Sequence, residues 1–283
     1  MNRWLDCWAD PCARPPAFGT ADSKLRHFFG IAGYSELCPS REERVIIPFE
    51  TVTVAPRADL SIRSSVGWRL DLWRRLTYLW YIKATFTTLG IGGFFVAYFQ
   101  VMKHPLTAVT TMPLTALDHA IPFQPASLYV YLSLWVYVSL APALLRTRRE
   151  LGSYGIATSA LSATGLLIFL IWPTAVPTFD IDWTLYPSIA FLKDSDQALN
   201  ACPSMHVAFA VFTAMWMSRL LREMGARAAL QSLNAAWCLA IVYSTISTRQ
   251  HVLLDVVAGA ALGALVAGLH LHVVKPSPAH VAS

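Results

Sequence analysis

Six stretches of the chain are long and apolar, with polar residues gathered between them: roughly Thr77–Val101, Ser127–Leu145, Ser153–Trp172, Met205–Leu221, Leu233–Thr248 and Leu253–Val274. A helix needs about 20 mostly apolar residues to cross a bilayer, and each stretch meets or approaches that length. The pattern predicts an all-α, polytopic membrane protein with six transmembrane helices. The fourth and fifth stretches are short, because Ser204, His206, Arg249 and His251 stand at or just beyond their apolar limits. About the first 70 residues are different in kind, mixed in charge and without a long apolar run. There Val45–Val54 reads as one short strand. Gly67–Leu76, rich in Trp and Arg, reads as an interfacial helix anchored at the headgroups. The expected organisation is a cytoplasmic N-terminal region 1–70, a membrane domain 77–274 and a short tail 275–283.

Composition narrows the class without changing the outline. The 283 residues are 55% hydrophobic and 14% charged, against roughly 45–50% and about 25% in soluble domains, which argues against a soluble globular protein. The five cysteines, Cys7, Cys12, Cys38, Cys202 and Cys238, form no CxxC pair and have no His at zinc-finger spacing. Neither a disulfide framework nor a metal is expected, and Cys202 and Cys238 read as small buried hydrophobes. Met1–Pro16 is broken by Asp6, Asp10 and Pro11 before an apolar core forms, so no cleavable signal peptide is expected.

The net charge of +5 is explained by membrane orientation rather than by nucleic acid, and no nucleic-acid partner is expected. With the N-terminus in the cytoplasm, Arg146, Arg148, Arg149, Arg219, Arg222, Arg227 and Lys275 all fall on that side, and Lys103, Lys193 and Arg249 fall outside. This is the positive-inside distribution. It predicts a multi-pass protein of the cell membrane with both termini cytoplasmic. Lys83, near the inner end of the first span, is expected to snorkel. Two long outer connections remain, about Met102–Ala126 and Pro173–Pro203. The second carries Asp180, Asp182, Lys193, Asp194 and Asp196 among Trp183, Tyr186 and Phe191. It reads equally well as a lid or headgroup contact, with Lys193 a candidate substrate contact, or as a solvated cover.

Ionisable side chains beside spans are costly, so their grouping is informative. Cys202-Pro203-Ser204-Met205-His206 opens the fourth span, and Ser247-Thr248-Arg249-Gln250-His251-Val252-Leu253-Leu254-Asp255 joins the fifth to the sixth. With alternating orientation both reach the outer, extracytoplasmic face. His251 and Asp255 are four apart, sharing one face of a helix. Asp255 can then fix the tautomer of His251 and leave its other nitrogen free to attack. Arg249 offers a guanidinium fork that matches two phosphate oxygens. Ser204, at a helix N-terminus, can donate to an anion, and His206 can protonate a leaving alkoxide. Together these groups suit phosphoryl transfer. No clustered carboxylates or His/Cys set suits a divalent ion, so neither metal nor cofactor is expected.

Pro203-Ser204-Met205-His206 and Arg249-Gln250-His251-Val252-Leu253-Leu254-Asp255 resemble the second and third signature motifs of the type 2 phosphatidic acid phosphatase superfamily. The resemblance covers roughly Thr77 to Val274. It implies a six-helix membrane bundle with His251 as the nucleophile forming a phosphohistidine, Asp255 its orienter, His206 the acid, and Ser204 and Arg249 the phosphate ligands. Two departures stand out. Met205 replaces the usual Gly of the second motif, and the first motif, Lys followed after six residues by Arg-Pro, is absent. In its place Leu117-Asp118-His119-Ala120-Ile121-Pro122-Phe123-Gln124-Pro125 resembles the inositol phosphorylceramide synthase-like branch, which makes Asp118 a second candidate substrate contact. The resemblance thus implies a phospholipid or sphingolipid substrate and transfer of a phosphoryl or phosphoinositol-type headgroup to water or a lipid alcohol. Phosphatase and transferase both stay open, as does a transporter or scaffold that retains the motif without the activity. Gly259-Ala260-Ala261-Leu262-Gly263 is a small-x-x-x-small pattern that reads as ordinary close helix packing.

Overall fold

The apolar runs fold as helices because in hydrocarbon every backbone N–H and C=O must find its partner within the segment. The computed structural model describes residues 57–196 and 199–274. Expectations for residues 1–56, the Val45–Val54 strand among them, for the side chains of Asp194 and Asp196, and for the tail 275–283 lie outside the described residues. The helices are α1 (Arg57–Thr77), α2 (Trp80–Lys103), the short α3 (Ala116–Ala120), α4 (Leu128–Leu132), α5 (Leu134–Leu144) and α6 (Arg148–Ile171). They continue with α7 (Pro187–Asp196), α8 (Met205–Glu223), α9 (Ala228–Ser247) and α10 (Leu253–Val273). The helix expected near 67–76 is the C-terminal half of α1.

Among the described residues five helices are long and apolar enough to cross a membrane: Trp80–Lys103, Pro125–Leu144, Arg148–Ile171, Ala228–Ser247 and Leu253–Val273. The remaining expected span, α8, has 19 residues and is about 28 Å long at helical rise, but it is not among the five. Its position explains the difference. It packs against α10, α9 and α5, and Val207, Ala208, Ala210, Phe212 and Thr213 are fully buried. A helix enclosed by other helices can carry His206, Thr213 and Arg219 because lipid does not face them. The outer helices are apolar on their exposed sides instead, with Leu89, Val96, Val136, Ile156, Leu239 and Leu265 all largely exposed.

Two glycines set how closely α10 approaches α8. A Cβ at Gly259 would fall on the carbonyl of Ser204, and one at Gly263 on the carbonyl of Ala208. The small-residue stripe is therefore close packing, as expected, but its register also lays the start of α10 against the start of α8, where both motifs lie.

Lys83 does not snorkel. It is buried, and its ammonium donates to the carbonyls of Arg75 at 2.6 Å and Ala143 at 2.9 Å. The last carbonyls of α1 and α5 lack helical partners, and a cation held between two such C-termini satisfies both.

The two long connections expected on the outer side are folded against each other. Strands β1 (Thr110–Thr111) and β2 (Thr174–Ala175) pair in parallel, with Thr110 opposite Thr174, and Ala175 also bridges to Leu199. Phe123 meets Trp183 and Tyr186 edge-on in a cluster with Leu128, Tyr131 and Ile189. The second connection is thus a packed cap containing α7, rather than a loose loop.

Candidate active site

Ser204 caps α8. Its hydroxyl accepts the Val207 N–H at 3.3 Å, and its own N–H donates to the carbonyl of Asp255 at 2.9 Å. His206 follows on the first turn. On the other side α9 ends in a tight turn in which the Gln250 and His251 N–H groups both donate to the Thr245 carbonyl. Arg249 there takes a left-handed φ of 59°. His251 therefore lies in the turn before α10, not on the helix it was expected to share with Asp255. The two still approach, because Asp255 occupies the first turn of α10. One of its oxygens accepts the Val252 N–H at 3.1 Å and stands 3.5 Å from His251 Nδ1. That is an ion-pair distance without hydrogen-bond alignment, since Nδ1 and the other Asp255 oxygen have no hydrogen-bond partner.

The two imidazoles face each other with ring centroids 6.2 Å apart. His206 is held by aromatics. Tyr131 stacks on it at 4.2 Å, with its hydroxyl 3.3 Å from Nδ1, and Trp135 meets it edge-on. Tyr131 and Trp135 are four residues apart, on neighbouring helices α4 and α5. Sequence reading missed both, because aromatics inside an apolar span look like core. Both histidines line a cavity of about 150 Å³ whose other walls include Phe94, Phe95, Phe99 and Phe209. Unpartnered buried polar atoms are rare in folded proteins. Here His206 Nε2, Arg249 Nε, Gln250 Nε2, His251 Nδ1 and an Asp255 oxygen all lack partners within the two motifs.

The remaining expected residues are placed differently. Arg249 uses its fork on the protein: Nη1 donates to the Asp118 carbonyl at 2.8 Å and Nη2 to the Ile121 carbonyl at 2.9 Å. Its guanidinium also lies over Phe179. Asp118, a candidate substrate contact by sequence, is instead a buried cap. One carboxylate oxygen accepts the Leu253 N–H at 2.8 Å, at the start of α10, and the other accepts from the Thr115 N–H and hydroxyl. Lys193 donates to the Arg249 carbonyl at 3.0 Å and lies over Trp183, so it ties α7 to the turn. Met205, the departure from the second motif, is buried and turned toward α6, where Gly165 leaves room for its sulfur. Burial, and then the charge of Asp255, push the Cys202 thiol up to about 11, which leaves it protonated at neutral pH and unsuited to nucleophilic attack.

Among the described residues no three His, Cys, Asp or Glu side chains gather as a metal site. Residues 149–278 match the model of the PAP2 superfamily, the same superfamily that the two motifs resemble. The matched segment spans α6 to the end of α10 and so contains both motifs. No curated protein and no solved structure matches the chain.

Proposed function

We propose that this chain is an integral membrane lipid phosphatase or phosphotransferase working through a phosphohistidine at His251. The observation that carries this reading is the convergence of His206 and His251 on one aromatic cavity, with Asp255 behind His251. In the first half-reaction Nε2 of His251 attacks phosphorus and the bond to the departing alcohol breaks, while protonated His206 gives its Nε2 proton to the leaving oxygen. In the second, water or a lipid alcohol passes its proton to His206 as its oxygen attacks phosphorus, and the N–P bond breaks. Arg249, with its Nε–H unclaimed, and Ser204 are assigned to the non-bridging oxygens, where fixed donors contribute most. The aromatic walls suit a phospholipid or sphingolipid, whose hydrocarbon they can cover.

The positive-inside distribution supports an extracytoplasmic site with both termini in the cytoplasm. Arg75, Arg146 and Arg219 gather at the end of the bundle away from His251, joined through Asp71 and Glu223. Transfer of a phosphoinositol-type headgroup, as in the inositol phosphorylceramide synthase-like branch, rests on the Leu117–Pro125 stretch. Product analysis tests both readings. Incubation with a phospholipid donor, with and without ceramide or diacylglycerol, should give a new headgroup-bearing lipid only when acceptor is present. Water-soluble phospho-headgroup alone in both reactions, or free phosphate from a monoester donor, would sink the transferase reading and keep the hydrolase; no product of any kind would sink both. A transporter or scaffold that retains the motif draws on the occupied fork of Arg249, and the His251 experiment below separates it.

Tyr131 is proposed as a positioning residue for His206. Its oxygen accepts Nδ1–H, leaving Nε2 to gain and lose the catalytic proton. Tyr131→Phe keeps the stacked ring and removes that acceptor. For an alkyl phosphoester, kcat should fall about tenfold, part of the 10²–10⁴ that general acid catalysis supplies. For p-nitrophenyl phosphate, whose leaving group needs no proton, release of p-nitrophenolate in the first half-reaction should barely slow, while steady-state turnover still falls because His206 is needed as base in the second. Equal loss in the first half-reaction on both substrates would assign Tyr131 to packing alone.

A further inference from the structure

At the end of the bundle away from the histidines, where α1 turns into α2, lies a cavity of about 460 Å³ lined by Asp71, Arg74, Arg75, Thr77, Tyr78 and Arg146. α8 fixes its location: His206 opens that helix, and Glu223 closes it 3.9 Å from Arg75. The lining carries three arginines and one carboxylate. A single Asp71 oxygen serves both Arg75 Nε at 3.1 Å and Arg146 Nη2 at 2.9 Å. The nearby acids are already committed, Glu223 to Arg219 at 2.9 Å and Glu150 to the Arg146 backbone N–H at 2.7 Å. Two donors in the lining, Arg75 Nη2 and Arg146 Nε, are buried without any acceptor. Leaving a buried cationic donor unpaired is costly. Arg75 itself is only 3% exposed, and burial followed by the charge of Arg146 lowers its pKa, the direction taken by a cation short of counter-charge.

What surrounds the cavity identifies its setting. Trp73, Tyr78, Trp80 and Tyr81 are all more than half exposed, and such a group of Trp and Tyr beside the first residues of a spanning helix marks the membrane–water interface. A basic recess at that depth meets lipid headgroups before any soluble anion. No histidine or cysteine lines it, the Asp71 carboxylate is held by two arginines and the Thr77 hydroxyl donates to the Trp73 carbonyl, so the recess is built to hold a phosphate rather than to cleave one.

We propose that this recess binds the phosphodiester headgroup of an anionic phospholipid on the cytoplasmic face, as a non-catalytic lipid site that clamps α1 against the start of α6. Phosphate oxygens would accept from Arg74 and from the unpaired donors of Arg75 and Arg146. The excess of positive charge selects anionic over zwitterionic lipids.

The test uses the full chain purified in detergent, delipidated, and titrated with phosphatidylglycerol, phosphatidylcholine or inorganic phosphate, with retained lipid read by native mass spectrometry and Tm by thermal unfolding. Phosphatidylglycerol should be retained and should raise Tm, with phosphatidylcholine doing neither. Arg74→Gln with Arg146→Gln should weaken phosphatidylglycerol binding by about fivefold for each charge removed. If the double variant does not fold, Arg74→Gln alone carries the test, because that side chain is exposed and forms no part of the Asp71 network. Equal retention of the two lipids, or unchanged retention by the variant, would overturn the proposal. Inorganic phosphate raising Tm as much as the lipid would overturn the headgroup assignment in favour of a free-anion site.

Discussion

Replacing His251 with Ala should abolish turnover of lipid phosphoesters, with kcat down by at least about 10³, the scale on which an activated nucleophile contributes. The fold should survive the change. His251 lies in a turn outside any helix, its N–H bond to Thr245 belongs to the backbone, and its Nδ1 makes no aligned hydrogen bond. The loss would therefore be chemical, and retention of the monodisperse, helical protein on sizing and circular dichroism checks this. A rapid acid-free quench of wild-type protein with ³²P-labelled substrate should trap label on the chain that is stable to alkali and released by acid, as expected of a phosphohistidine. His251→Ala should trap none. His206→Ala should still trap label when the leaving group is p-nitrophenolate, because the acid is then dispensable for the first step, yet should turn over slowly in the second. Full activity in His251→Ala would refute the nucleophile assignment. Absence of trapping in the wild type, together with lipid movement indifferent to both histidines, would favour the transporter or scaffold.

Much of this arrangement was legible in the sequence, and the reasons are specific. Apolar run lengths locate helices to within a few residues, because a bilayer penalises any other use of such a segment. The start of α10 was expected and found at Leu253, and the start of α8 at Met205. Pairing of the two motifs was also legible, since alternating spans leave few ways to arrange their ends. What sequence could not supply was the partner of each polar group. Arg249 reads as a phosphate fork, yet the end of α3 offers it two carbonyls that would otherwise lack donors. Lys83 reads as a snorkelling cation, yet two helix C-termini meet beside it. Both cases turn on backbone groups that every residue carries and no residue name reveals. Tyr131 and Trp135 were hidden for the opposite reason: in an apolar span an aromatic ring needs no explanation until a histidine is found stacked on it.

Asp118→Ala should destabilise the protein by about 3 kcal/mol or more, on the scale of charge-assisted hydrogen bonds at roughly 1.5–3 kcal/mol each. The carboxylate is 2% exposed and receives three donors, from Leu253 N–H at 2.8 Å, Thr115 N–H at 2.8 Å and the Thr115 hydroxyl at 2.7 Å. Alanine would strand the Leu253 amide at the positive end of α10, where an anion is worth most. It would also loosen α3, whose last carbonyls orient Arg249. Activity should fall as a consequence, because Leu253 is two residues from His251 and its anchoring fixes where that turn sits. Asp118→Asn should be intermediate: one amide oxygen can still accept from Leu253, while the NH₂ group would face the Thr115 N–H. The distinguishing measurement is thermal inactivation beside steady-state kinetics. A cap predicts a lower inactivation temperature and a lower kcat in both variants, ordered Ala below Asn below wild type, with KM little changed. A substrate contact predicts the reverse, an unchanged inactivation temperature and a raised KM, and that outcome would return Asp118 to the substrate site. If Asp118 is a cap, the 117–125 stretch serves to fasten the turn that carries His251, through the Asp118 carboxylate at the start of α10 and the two carbonyls that hold Arg249.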